Sequence, residues 1–173
     1  MRNKLILIVL TLLITVTSFY VVSSKETEPE EVMMIFLEKL LTATPETDDE
    51  IFHINIFGRL DIDTYTINNY SDIATERMMI YMLENRLIGY SSSVALETSS
   101  NINVQSVEIT STQTSDGKIY FDFKGVTKIV STDTSEIFEY PIVGQIGIKS
   151  VDGVPKVDTC RFYTIELLDH PFR

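Results

Sequence analysis

The hydrophobic and polar positions of the chain fall into three successive patterns. Residues 5–22 form an uncharged apolar run, residues 27–89 carry apolar side chains mainly at helical spacing, and from about residue 104 apolar and polar positions alternate. Helical spacing collects apolar side chains on one face of a helix, whereas alternation collects them on one face of a strand. Helices followed by strands predict an α+β domain.

Two segments of the second pattern predict helices. The first is TEPEEVMMIFLEKLL, with Thr27 as the capping residue, Pro29 in the first turn and Pro45 just beyond the end. The second is SDIATERMMIYMLENRLIG, with Ser71 as the cap and Gly89 as the stop signal. Each segment presents an apolar stripe, which predicts that both helices pack on a common core.

The segments beside these helices are more ambiguous. Residues 46–70 are compatible with a short helix that begins at the acidic residues 48–50, and also with a strand over the alternating DIDTYTI, so both interpretations stay open. The polar stretch after Gly89 is interpreted as a connector that contains a short edge strand at Val94–Leu96.

The last third predicts four strands in a consecutive antiparallel meander. Asp116-Gly117 and Asp152-Gly153 are tight-turn signals, and residues 132–135 supply a looser turn between them. Glycines interrupt the long middle strands, where bends or bulges would curve the sheet. These glycines are Gly125, Gly144 and Gly147.

The apolar run 5–22 predicts export. Arg2 and Lys4 precede it, and every acidic residue follows it, so the N-terminus is expected inside the membrane and the rest outside. Eighteen residues lie between the length of a secretory signal and that of a spanning helix. Residues 1–24 are therefore either a signal peptide cut near Lys25 or a membrane anchor, and residues 25–173 form one extracytoplasmic domain.

Charge and composition exclude several classes of function. The chain has 25 acidic against 14 basic residues, and such a surface repels nucleic-acid phosphates. The single cysteine, Cys160, allows no internal disulfide, and with two histidines the chain has too few soft ligands for a zinc site. No metal and no cofactor is expected, and Cys160 is predicted to be a buried small apolar residue.

One arrangement of residues suggests enzymatic chemistry. In a strand, Asp61 and Asp63 would lie on one side, and a carboxylate in an apolar cavity can act as a general base, with His53 nearby to assist. Neighbouring acids are common in so acidic a chain, however, and a solvated strand face explains them without any catalytic role. The sequence therefore favours a protein that is not an enzyme.

The order of TEPEEVMMIFLEKLL, SDIATERMMIYMLENRLIG and the hairpins that follow resembles the cystatin-like cone of the nuclear-transport-factor-two-like superfamily, over about residues 27–168. Exported and membrane-anchored domains of this kind occur in Gram-positive bacteria. The resemblance implies helices packed on a curved four-stranded sheet with a pocket at the open end. Aromatic candidates for this pocket are Phe121, Phe123, Tyr140, Phe162 and Tyr163.

Three functions follow from these observations. The first is a non-catalytic module outside the membrane that binds a protein partner in an assembly of the cell envelope. The second is a binder of a small apolar ligand or peptide in a cone-shaped pocket. The third is an isomerase- or dehydratase-like enzyme that uses a cavity carboxylate. A filled cone would favour the first, and an open pocket without titratable groups would favour the second.

Overall fold

The computed structural model of the protein describes residues 27–45 and 59–165. Within these residues, four strands form one open antiparallel sheet in the order β1-β2-β3-β4, and four helices precede them. The α+β class and the antiparallel meander predicted from the sequence are confirmed. The elements are α1 (Pro29–Leu41), α2 (Arg59–Tyr70), α3 (Glu76–Glu84), α4 (Tyr90–Thr98), β1 (Ser100–Ser115), β2 (Lys118–Ser131), β3 (Ile137–Val151) and β4 (Val154–Ile165).

Two tight turns connect the strands as the sequence predicts. Asp116 and Gly117 have φ angles of 53° and 71°, and Asp152 and Gly153 have φ angles of 52° and 82°. Two successive left-handed residues match the twist of the flanking strands, and Asp-Gly tolerates this conformation. These turns fix the register of the first and last hairpins.

Bulges disturb the pairing of the edge strands. Between β3 and β4 the register shifts twice, so that Asp158 and Tyr163 of β4 have no partner opposite them in β3. Gly144 and Gly147 border these shifts, as predicted, whereas Gly125 pairs regularly with Val107. A bulge bends its strand and increases the local twist, so β4 curves along its length.

The close approach of two neighbours requires a glycine at position 144. A Cβ atom there would lie 2.5 Å from the carbonyl oxygen of Arg161 and 2.8 Å from the Phe123 ring. Both contacts are shorter than the ≈3.5–4.0 Å at which carbon atoms pack best. The absent side chain therefore lets Phe123 lie across β3 towards β4.

The core lies between the helices and one face of the sheet. Met33, Phe36 and Leu37 of α1 are fully buried against Phe123 of β2 and Ile146 of β3. Apolar residues at alternating positions of β2 and β3 are also buried: Phe121, Phe123, Ile129, Ile142, Ile146 and Ile148. A smaller cluster joins α4 to β1 and β2 through Val94, Ala95, Ile102 and Ile129.

The predicted helix caps are wrong at both helices. Glu28, rather than Thr27, is the N-cap of α1, and it makes no side-chain capping bond. The second helix begins after Thr75, whose hydroxyl accepts a hydrogen bond from the Met78 amide, instead of after Ser71. It ends at Glu84, well before Gly89.

A tertiary contact explains the late start of α3. The amide of Val157 in β4 donates to the carbonyl of Ile73, and the amide of Thr75 donates to the carbonyl of Val157, both at 2.8 Å. Residues 73–75 thus pair with the edge of β4 like a short strand. This pairing competes with the helical conformation that their local sequence favours.

The strand considered as one interpretation within residues 46–70 is a helix in the structure. The segment DIDTYTI belongs to α2, where Thr66 and Tyr70, one turn apart, are buried. The tyrosine ring packs edge-on against Phe36 at 6.0 Å, and its hydroxyl donates to the Lys39 carbonyl. The short helix considered at residues 48–50 lies outside the described residues.

Val94–Leu96, predicted as an edge strand, lies within α4. Gly89 has a φ of 75° and is the N-cap of this helix instead of the end of the preceding one. The buried Ser91 hydroxyl donates to the Leu40 carbonyl at the end of α1. Small side chains therefore allow the start of α4 to approach the end of α1. Because α4 has a polar sequence, this packing was not predicted.

Candidate functional site

Two open clefts lie side by side along β4. We name them the apolar cleft, of about 270 Å³, and the polar cleft, of about 310 Å³. Tyr81 of α3 and Cys160 of β4 belong to the walls of both. The apolar cleft is also lined by Leu40, Leu41, Asn85, Leu87, Tyr90, Ser91, Phe162 and Ile165, and the polar cleft by Arg77, Met78, Gln145, Asp158, Thr159 and Arg161.

The apolar cleft is formed where several elements end. Leu40 and Leu41 close α1, Tyr90 opens α4, and Phe162 lies near the end of β4. The Phe162 ring is held edge-on against Phe123 at 6.0 Å, so one wall of the cleft rests directly on the core. Such aromatic pairs add to the stability of the packing beyond the buried area alone.

The polar groups of the apolar cleft are largely occupied within the protein. Ser91 donates to the Leu40 carbonyl, and the Asn85 side-chain amide donates to the Tyr81 carbonyl at 2.8 Å. The described lining contains no Asp, Glu, Lys, Arg or His side chain. The cleft is therefore suited to apolar contact rather than to acid–base chemistry.

Cys160 lies buried between the two clefts. Burial raises the pKa of its thiol to about 12, so the nucleophilic thiolate is scarce at neutral pH. The prediction that Cys160 is a buried small apolar residue is confirmed. It contributes to the shape of both walls.

A buried charge network forms the floor of the polar cleft. Asp158, placed at the bulge of β4, accepts a hydrogen bond from the Thr75 hydroxyl at 3.0 Å and pairs with the Lys118 ammonium at 2.5 Å. Burial opposes ionisation of this carboxyl, but the bonds from Lys118 and Thr75 and the charges of Lys118 and Arg77 outweigh burial and lower its pKa. Asp158 is therefore ionised at neutral pH. The network links α3, β2 and β4.

Two arginines lie at the surface of the polar cleft. Arg77 is 73% exposed and approaches Asp158 only to 3.8 Å. Arg161 is exposed and forms no ion pair in the described part of the chain. Both guanidinium groups therefore remain available to a ligand.

Of the residues considered for catalysis, the structure describes the side chain of Asp63, and it lines neither cleft. Asp61 and Asp63 belong to α2, so the strand in which they would share one side is not formed there. Asp63 is exposed. His53 and the side chain of Asp61 lie outside the described residues.

The aromatic candidates for a pocket have different environments. Phe121 and Phe123 are buried in the main core, and Tyr140 is half-buried against the smaller cluster. Phe162 lines the apolar cleft, whereas Tyr163, at the second bulge, is 55% exposed. The sequence did not indicate that Leu40, Leu87 and Tyr90 line this cleft. Leu40 was expected on the apolar face of the first helix, whereas Leu87 and Tyr90 lie where the end of α3 and the start of α4 were mispredicted.

Comparisons with family models, with curated proteins and with solved structures found no match for this chain. Within residues 27–45 and 59–165, no helix combines the length and the apolar composition that crossing a membrane requires. The apolar run 5–22 lies outside those ranges.

Proposed function

We propose that this protein is a non-catalytic binding module exported to the outer face of the cytoplasmic membrane, and that it binds a small apolar molecule in the apolar cleft. The observation that carries the proposal is the lining of that cleft. Leucines and aromatic rings from four elements surround an open space, and its described walls carry no charged side chain. Ligand pockets are concave and mostly apolar, and this cleft is near the lower end of their usual size.

Photolabelling of the full chain tests this proposal. The probe is a neutral dodecanol derivative that carries a diazirine, and peptide mapping by mass spectrometry separates labelling in the cleft from any labelling in the leader. We expect label in the peptides that contain Leu87 and Phe162, and we expect unlabelled dodecanol to compete with it. If labelling of these peptides does not saturate as the probe concentration rises, the proposal is contradicted.

A pair of variants sharpens the test. Leu87→Trp enlarges a residue of the cleft wall, whereas Ile80→Trp makes the same kind of change on α3 at a side chain that is 47% exposed and lines neither cleft. We expect Leu87→Trp to reduce the affinity about tenfold, which corresponds to about 1.4 kcal/mol. Ile80→Trp should bind like the wild type, and equal affinity of the two variants would place the binding elsewhere.

A protein partner in the cell envelope is a second candidate, and a specific feature favours it. Residues 159–165 of β4 make no backbone hydrogen bond outside the sheet in the described part of the chain. The exposed Tyr163 lies on this edge strand, next to Thr164, which pairs with the exposed Val143 of β3. An unpaired edge strand with apolar side chains is a template for an added strand.

Site-specific crosslinking tests the second candidate. Benzoylphenylalanine at position 163 is compared with the same group at Gln113, an exposed position on β1 at the opposite edge of the sheet. A discrete product in intact cells at position 163 alone would support a partner on β4. Products of equal yield at both positions, or none at either, would count against it.

A further inference from the structure

The two clefts together form one amphipathic surface. They share Tyr81 and Cys160 as lining residues, so the two clefts are adjacent along β4. Tyr81 is 42% exposed, and its ring is therefore accessible from solvent at the junction. An elongated molecule with one apolar and one polar end matches this arrangement better than two separate ligands do.

The sign of the charge in the polar cleft is opposite to that of the protein as a whole. The chain carries a formal charge of −11, yet Arg77 and Arg161 both line this cleft. The one carboxylate in the lining, Asp158, is already neutralised by Lys118 at 2.5 Å. The local balance is therefore positive, which attracts an anion into the cleft.

The hydrogen-bonding groups of the polar cleft also favour an anion. The Thr159 hydroxyl has no hydrogen-bond partner in the described part of the chain, whereas the side-chain amide of Gln145 already donates to Asp122 at 2.8 Å. The side-chain groups left available thus include the two guanidinium groups and the hydroxyls of Thr159 and Tyr81. Guanidinium donors form a planar fork that matches the oxygens of a carboxylate or a phosphate.

We infer that the ligand is a single-chain anionic amphiphile, with its tail in the apolar cleft and its carboxylate or phosphate head at Arg77 and Arg161. This inference rests on the proposed function, because it takes the apolar cleft as the site of the tail. It adds the chemical class of the head and the residues that select it.

Competition by three compounds with the same chain tests the inference on the full-length protein. Dodecanoate, dodecyl phosphate and dodecanol are titrated against the diazirine probe, and protection is read at the peptide that contains Phe162. We expect at least one of the two anions to compete about tenfold better than dodecanol, an advantage equivalent to about one charge-assisted hydrogen bond. The stronger of the two identifies the head group as carboxylate or phosphate.

Variants then assign the selectivity to the arginines. In Arg77→Gln/Arg161→Gln the anionic advantage should fall to less than about twofold, while the affinity for dodecanol stays unchanged. The control is Arg86→Gln, which removes an exposed arginine just after α3 that lines neither cleft. In the Arg86→Gln control, the anion should still compete about tenfold better than dodecanol.

The outcomes separate the inference from the proposed function. Equal competition by all three compounds in the wild type would overturn the anionic head and leave the apolar site standing. If the anions still compete about tenfold better than dodecanol in Arg77→Gln/Arg161→Gln, the proposed role of the two arginines is wrong. Failure of all three compounds to compete would overturn both the inference and the proposed function.

Discussion

The two halves of β4 are held in different ways. In the first half, Val157 is hydrogen-bonded through both of its backbone groups to residues 73–75, and Asp158 joins Thr75 and Lys118. In the second half, residues 159–165 border both clefts and have no backbone partner outside the sheet in the described part of the chain. One strand thus provides both an anchor for α3 and an open edge.

The difference shows how a small domain can combine a fixed site with an accessible one. The bulge at Asp158 lets a charged side chain turn towards Thr75, and the rest of the strand then makes no backbone hydrogen bond outside the sheet within the described residues. Because the anchored half positions α3, it also positions Arg77 and Tyr81 over the open half. Damage to the anchor should therefore affect stability first, whereas changes at the exposed residues of the open half, such as Arg161 and Tyr163, should affect binding with little effect on stability.

The largest expected effect comes from Asp158→Asn. The change removes the charge that pairs with Lys118, whose side chain is only 17% exposed, and we expect the free energy of unfolding to fall by about 3 kcal/mol. Urea denaturation measures this fall. Asp122→Asn is the control, because Asp122 is less buried and its bond to Gln145 can persist with an amide; a loss below about 0.5 kcal/mol is expected. Equal losses in both variants would remove the distinction between the two halves of β4.

The same ion pair should produce a pH dependence at acidic pH. The pKa of Asp158 in the folded state lies below its ordinary value of 3.8, so the unfolded chain takes up this proton first as the pH falls. The contribution of the ionised carboxyl is therefore complete above the unfolded pKa and is lost as the pH falls through the folded pKa. Urea denaturation from about pH 7 to about pH 3 should bring the wild type and Asp158→Asn progressively closer together in stability. A constant difference over this range would show that the charge of Asp158 is not responsible.

The sequence was informative where short-range rules determine the structure. The strands β2, β3 and β4 and the turns at Asp116 and Asp152 were predicted because alternation and Asp-Gly pairs act locally. The helical region was predicted less well, because pairing of residues 73–75 with β4 displaced the start of α3. A local sequence pattern does not predict a contact between segments that lie more than 80 residues apart in the chain.

The candidate site illustrates the same limit. Phe162 was recognised as an aromatic residue of the sheet, but nothing in its neighbourhood in the sequence places it beside Leu40 and Leu87. Arg77 and Arg161 drew no attention, since single arginines are common on surfaces. Their significance arises only when α3 lies beside β4 and brings them to one cleft.

A smaller change in the free energy of unfolding is expected at the N-cap of α3, and it distinguishes Thr75, the cap in the structure, from Ser71, the cap expected from the sequence. Thr75→Ala removes the acceptor of the Met78 amide and one donor to Asp158, and we expect a loss of about 1–2 kcal/mol in the free energy of unfolding. Thr75→Ser keeps the hydroxyl and should recover most of that loss.

Ser71→Ala, at the cap expected from the sequence, and Thr159→Ala, in the open half of β4, should each stay within about 0.5 kcal/mol of the wild type. The reason is that neither hydroxyl makes a hydrogen bond in the described part of the chain. A loss at Thr159 as large as that at Thr75 would mean that the open half of β4 supports the fold as firmly as the anchored half. The clefts would then be part of the protein's structural support, and their polar groups would no longer be free to select a ligand.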